Sequence, residues 1–355
     1  MKSRNISSSE VISQLRFPLI VLVTYAHSYG ALSPDYSLVA TGFDGYALLR
    51  LLVSQSLVKV VVPLFFIFSG YLFFRQTDQW SWRIYREKLR RRVVTLLVPY
   101  VVWNLLMAAK LRTFSWQVFW TFWSQAGHQT DWLGYDNWMT APADMPLWFL
   151  RDLMVVTLLT PVLYLVLRHV GTLFVGLLTL LYLSGVCAFT LPGLSAYAVY
   201  FFSLGAWLSI GRHDLVAAAR RVEVAAYVLS LLLLVAMLLS WHLPMFSSLM
   251  LAFRLTGAAT VLCLTSRLLS ATTSRLPQWI VRSSYFLYLS HYVIFLSFVD
   301  DGLFLVFGTT STLSLCLHYL LAPLVKAALL VAVYQAWYYA FKAKKWPNVL
   351  RFHRK

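Results

Sequence analysis

The sequence predicts an all-α, polytopic membrane protein: a bundle of about ten transmembrane helices with both termini in the cytoplasm. Three observations carry that reading. Of 355 residues, 60% are hydrophobic and only 12% charged, with a mean hydropathy of +0.69, whereas soluble domains carry about 25% charged residues. Apolar stretches long enough to cross a hydrocarbon core of ~30 Å recur from end to end. The basic residues, finally, gather on alternate loops in the positive-inside pattern.

Taken in order, the expected spans are 11–32, 47–74, 93–110, 147–167, 170–188, 195–210, 223–241, 247–266, 279–299 and 311–341. Residues 1–341 thus form a single transmembrane domain, and 342–355 a basic cytoplasmic tail lying against anionic headgroups. The opening run is too long, and too interrupted by Arg16, for a secretory signal, so it is read as a retained helix. The last span is long enough to tilt or to break near Pro323.

A net charge of +17 can signal a nucleic-acid partner, but its distribution argues for topology instead. With the amino terminus inside, Lys2, Arg4, the cluster Arg83 to Arg92, Arg168, Arg212, Arg220, Arg221, Arg267, Arg275, Arg282 and the tail all fall on one side. Asp35, Asp44, Asp131, Asp136, Asp144, Asp300 and Asp301 fall in the opposite loops. Cys187, Cys263 and Cys316 lie in apolar spans without ligand spacing; they read as packing residues, and no metal site is expected. The outer stretch Leu111 to Pro146 carries Trp116, Trp120, Trp123, Trp132 and Trp138, which suit either an interfacial belt or a sugar-stacking surface.

No G-x-S-x-G, phosphate-binding loop, H-E-x-x-H or C-x-x-C is present, so the chemistry must come from isolated polar residues within helices. These are Arg16, His27, Arg50, Lys59, Arg151, Asp152, Arg254, His291, His318 and Lys326. An ionisable group at membrane depth costs several kcal/mol, so it persists mainly where a polar interior needs it. Arg16 and His27 are eleven residues apart, which on a helix leaves them on one face and about 16 Å apart along the axis. Neutral imidazole can accept a proton near physiological pH, making His27 a general-base candidate. Lys59 sits too deep in its span to reach the interface by stretching.

The stretches LRFPLIVLVTYAHS, KVVVPLFFIFSGYLF, KLRRRVVTLLVPYVVWN, PLWFLRDL and SSYFLYLSHYVIF, in this order, resemble acyltransferase family 3, integral membrane O-acyltransferases, and especially its stand-alone bacterial O-acetyltransferases of surface glycans. The family's arginine, ten residues and histidine fall on Arg16 and His27; its basic position before P-x-F-F-x-x-S-G falls on Lys59, with Ser69 and Gly70 as the small pair. The acidic residue that many members place shortly before the arginine is replaced by Ser13 and Gln14. The R-x-x-R pair fits Arg83/Arg86 literally and Lys88/Arg91 conservatively.

The resemblance implies transfer of an acetyl or other acyl group from cytosolic acyl-CoA to a hydroxyl of a surface or lipid-linked glycan, in the bacterial inner membrane. His27, Arg16 and Lys59 are then the catalytic candidates, and Arg83, Arg86, Lys88, Arg91 and Arg92 the contacts to the acetyl-CoA phosphates. Trp138, Trp148, Arg151, Asp152 and His291 are candidate acceptor contacts. No bound cofactor is expected, and the partners are donor, glycan acceptor and bilayer. The competing class is a secondary transporter of an anionic small molecule, with Arg16, Lys59 and Arg254 as anchors. Neither an inverted repeat nor a matched pair of Gly/Pro-broken helices supports it.

Overall fold

The computed structural model describes residues 6–27, 45–75, 80–111, 142–186, 190–191, 193–294, 297–308 and 311–342. Trp138, the other four tryptophans of the outer stretch, Cys187 and the tail beyond 342 lie outside them. The described chain is almost entirely helical. Its sole sheet among those residues is a hairpin, β1 (Thr190–Leu191) antiparallel to β2 (Leu194–Ser195), turning at Gly193 with φ of 89°.

The helices are α1 (Ser8–His27), α2 (Gly45–Val53), α3 (Val61–Phe74), α4 (Trp82–Arg92), α5 (Val98–Leu111), α6 (Trp148–Leu158), α7 (Thr160–Leu183), α8 (Ala196–Ile210), α9 (Leu215–Arg221), α10 (Glu223–Leu239), α11 (Met245–Ala271), α12 (Gln278–Ser290), α13 (Ser297–Phe307) and α14 (Thr312–Lys342). Among the described residues five helical segments are long and apolar enough to cross a membrane: Gly45–Phe74, Trp82–Lys110, Thr160–Leu183, Met245–Ala271 and Thr312–Phe341. A sixth arises if α9 and α10, bent by 72°, are one broken span. This is a multi-pass helical membrane protein. Several of the ten expected spans correspond to helices shorter than the ~20 residues a straight crossing needs: α6 has 11 residues, α8 15 and α12 13; α13, of 11 residues, forms where the sequence predicts a loop.

Three irregularities interrupt the expected spans, and each precedes a proline. A turn at Ser54 to Ser56 and a 3-10 turn, Leu57–Val60, separate α2 from α3, ahead of Pro63. A π-helical turn, Val93–Leu97, joins α4 to α5 ahead of Pro99. The break between α6 and α7 precedes Pro161. Proline lacks the N–H that would bond four residues back, so the carbonyls of Lys59, Thr95 and Thr157 lose their helical partner. At the third break the Thr160 hydroxyl supplies the missing bond, donating to the Thr157 carbonyl at 2.7 Å. Pro18 and Pro323, by contrast, sit inside continuous helices. Helix α7 bends at Val170 (φ −130°, ψ 27°), the point at which the sequence suggests two spans.

Helix contacts divide the chain into two compact units. The first comprises Met1–Val61, Leu231–Phe246 and Thr265–Lys355; there α1 packs on α12, α14 and the 3-10 turn, and α14 packs on α2, α12 and α13. The second comprises Val62–Ser230 and Ser247–Leu264, built on the pair α7 and α8 with α6 against α8. In this unit α3 and α8 approach through two glycines. A Cβ on Gly70 would drive into the Phe202 carbonyl and lie 3.0 Å from the Ala206 nitrogen, and one on Gly205 would drive into the Ile67 carbonyl. Such backbone-to-backbone approach is typical of small residues at membrane helix interfaces.

Candidate active site

In the first unit the end of α1 meets the turn after α12. The half-buried His27 ring lies 5.3 Å from the His291 ring, inclined at 47°, and 5.6 Å from the Tyr292 ring, nearly edge-on at 72°. Lys59, on the 3-10 turn packed against α1, is near enough to act on His27 electrostatically, as is His291. Three sequence candidates, His27, Lys59 and His291, therefore come together.

The His291 ring is fixed by its neighbours. Its Nδ1 stands 2.7 Å from the Tyr288 carbonyl, an oxygen that can only accept, so Nδ1 carries the proton and donates. The Nε2 is then a lone pair; it is buried and has no hydrogen-bond partner.

Two residues before His27 on α1, Tyr25 belongs to a cluster of tyrosines. Tyr25 donates to the Leu320 carbonyl at 2.8 Å and stacks edge-on with Tyr319 at 5.6 Å. Ser54, freed from helix geometry by the break, donates to the Tyr25 carbonyl at 2.9 Å and lies 2.6 Å from the Tyr319 hydroxyl. Tyr46 joins at 6.1 Å from Tyr319, with the Arg50 guanidinium 5.4 Å from its own ring centroid. The break that presents Lys59 is thus held by side-chain bonds. Irregular backbone at membrane depth is tolerated where protein or a wet cavity lines it.

Arg16 shares the unbroken α1 with His27 and is exposed on the surface of the unit. The acidic residue nearest before it, Glu10, is committed to Arg275 at 2.6 Å, and Gln14 accepts the Leu276 N–H at 2.7 Å. Asp300, expected in an outer loop, is instead buried within α13, 2.6 Å from Lys326 Nζ and 3.3 Å from His318 Nε2. Phe304 stacks on that imidazole at 3.9 Å, so His318 and Lys326 form a structural triad around one carboxylate.

The second unit holds the basic helix. On α4, Arg83 pairs with Glu87 at 3.2 Å, both exposed. Lys88 donates to the Phe73 carbonyl and, with Arg92, lies over the Phe73 ring at 5.0 and 5.9 Å. Arg86, Arg90 and Arg91 are exposed. Arg151 and Asp152, both fully buried, bond each other at 3.0 Å, and the Ser195 hydroxyl donates to Asp152 at 2.9 Å. Trp148 packs at 6.4 Å from Phe66. Arg254, 2% exposed, lies 5.5 Å from the Tyr197 ring centroid and 3.4 Å from the Tyr182 hydroxyl. The sequence passed over Asp144 as a buried group: its N–H donates to Asn104 at 3.0 Å, while both carboxylate oxygens are buried without a hydrogen-bond partner. Cys263 is buried and Cys316 half-buried.

Comparison with known proteins assigns this helical membrane protein to an enzyme class. The chain belongs to acyltransferase family 3: the family's acyltransferase domain matches residues 11–327. It is an acyltransferase. It is also 26% identical over 342 residues to the succinoglycan biosynthesis protein ExoH of Rhizobium meliloti (strain 1021), covering 90% of this chain and 86% of that one. No solved structure matches it.

Proposed function

We propose that this protein transfers an acetyl group from cytosolic acetyl-CoA to a hydroxyl of a surface or lipid-linked glycan, working in the bacterial inner membrane as a ten-span bundle with both termini cytoplasmic. The observation that carries the reading is His27, on the helix bearing the family's first motif, set beside Lys59 and His291. The name of the relative, a succinoglycan biosynthesis protein, supports a glycan acceptor.

In this reading His27 takes the proton of the acceptor hydroxyl as its oxygen attacks the thioester carbonyl. Negative charge develops on the carbonyl oxygen, where the Lys59 ammonium stabilises it. The carbon–sulfur bond then breaks, and His27 returns the proton to the departing thiolate. Acetyl ester and free CoA thiol are the products. Arg16 on the same helix stabilises donor or carboxylate charge, and the exposed guanidiniums of α4 receive the CoA phosphates, which Arg grips bidentately.

The test is release of free CoA thiol by purified protein in lipid nanodiscs, with and without envelope glycolipid. Thiol release that depends on the glycolipid and matches the ester formed is the expected outcome. Solute uptake into vesicles with no thiol release contradicts it.

A further inference from the structure

We propose that His291 is the positioning residue that sets the tautomer of His27, through a chain running from the Tyr288 carbonyl to His291 to His27 to the acceptor hydroxyl. The inference rests on the acyl-transfer reading and goes beyond the acceptor contact expected of His291 from sequence.

Each link follows from donor and acceptor capacity. The Tyr288 carbonyl accepts only, so His291 Nδ1 at 2.7 Å must be the N–H. The opposite nitrogen, Nε2, must then be the acceptor, and it is buried with nothing bonded to it. A buried acceptor left unpaired is destabilising, so the site is incomplete until a donor arrives. The ring beside it is that of His27.

The spacing suits a bond. A ring nitrogen lies roughly 1.2 Å from its centroid, so an N–H···N bond of about 2.9 Å sets collinear centroids about 5.3 Å apart. The observed separation is 5.3 Å, with the planes inclined at 47°. The bond requires the His27 ring to turn so that one of its nitrogens meets His291 Nε2. His27 then donates through the nitrogen that faces His291, and its other nitrogen holds the lone pair that takes the hydroxyl proton. When the imidazolium forms, the same bond strengthens, because its donor is now charged. A base oriented by a third group is the general logic of such sites.

The test compares three variants by steady-state kinetics with acetyl-CoA and glycolipid. His291→Phe keeps the ring and removes the acceptor; turnover should fall about 100-fold or more with both Michaelis constants nearly unchanged. His291→Gln places an accepting amide oxygen near the Nε2 position and should retain activity within about tenfold of wild type. His291→Asn reaches only the Nδ1 position and should resemble the Phe variant. Should the Phe variant fail to fold, the Gln and Asn pair gives the same contrast. Imidazole nitrogen NMR of wild type and the Gln variant should show His27 in one tautomer, replaced by a mixture in the Asn variant.

Wild-type turnover in the Phe or Asn variant overturns the proposal. So does an acceptor Michaelis constant raised in all three variants, which makes His291 a substrate contact. Either result leaves the acyl-transfer reading intact as long as His27→Ala is inactive; activity in His27→Ala removes that reading itself.

Discussion

His27 and His291, contributed by opposite ends of the chain, face one another with ring centroids 5.3 Å apart, and Lys59 acts on the same imidazole from the 3-10 turn. The arrangement depends on a span that breaks before Pro63, so that a lysine is presented on a turn and not along a helix. If that ammonium stabilises the thioester oxygen only as charge develops, its loss should reduce turnover and spare binding. Lys59→Met should lower kcat by about 100-fold or more with the donor KM within about threefold, and Lys59→Arg should fall between. Equal loss in KM and none in kcat assigns Lys59 to ground-state binding.

The basic helix divides by what each cation already touches. Lys88 and Arg92 lie over Phe73; Arg83, Arg86 and Arg91 are all exposed, and of these three Arg83 is paired with Glu87. A lost charge-assisted hydrogen bond costs about 1.5 kcal/mol, roughly tenfold in affinity. Arg86→Ala and Arg91→Ala should each raise the acetyl-CoA KM about tenfold, more steeply at low salt, and Arg83→Ala should change it less. Unchanged constants in Arg86→Ala and Arg91→Ala place the phosphates elsewhere.

Gly70 tests the packing of the second unit. Its missing Cβ leaves room for the Phe202 carbonyl, and backbone cannot swing aside as a side chain does. Gly70→Val should cost about 3 kcal/mol or more, read as a lowered midpoint of thermal unfolding in detergent or as loss of folded protein. Gly176, with open space around it, is the control: Gly176→Ala should be neutral or stabilising.

Burial without a partner pushes the Asp144 carboxyl up from 3.8 to about 8, against the opposing pull of the Lys110 ammonium. Asp144 lies in the turn ahead of α6, outside the spanning segments. Between those two values the folded chain holds a proton that the unfolded chain has released, so stability falls as pH rises through the window. Wild type should lose more thermal stability than Asp144→Asn between about pH 5 and about pH 8, and the two should converge in acid. Parallel curves show that the carboxyl is solvated.

Much of this was legible in the chain. Hydropathy and the low charge content lead directly to a helical membrane protein, because a bilayer demands that backbone bonds close within each segment. Arg16 and His27 stood out because ionisable groups at depth are costly. The breaks were harder to read. Pro63, Pro99 and Pro161 mark them, but Pro18 and Pro323 interrupt nothing, so proline signals a lost bond without saying whether the helix yields. Pairings between distant segments left no local trace. Lys326 with Asp300, and His291 with His27, are set by packing that no spacing rule encodes. The adjacent Arg151 and Asp152 were readable as a local pair, and they are one. Gly205 was missed because a single glycine in an apolar helix is unremarkable until the facing backbone is known.

The most direct test of His27 as the proton acceptor is the time course of labelled acetyl appearing on extracted envelope glycolipid from labelled acetyl-CoA, with wild type and His27→Ala at matched amounts of folded protein. Label accumulating on the glycan with wild type, and falling by at least about 100-fold with His27→Ala while acetyl-CoA binding is retained, is the predicted result. Equal rates of labelling by the two proteins contradict it.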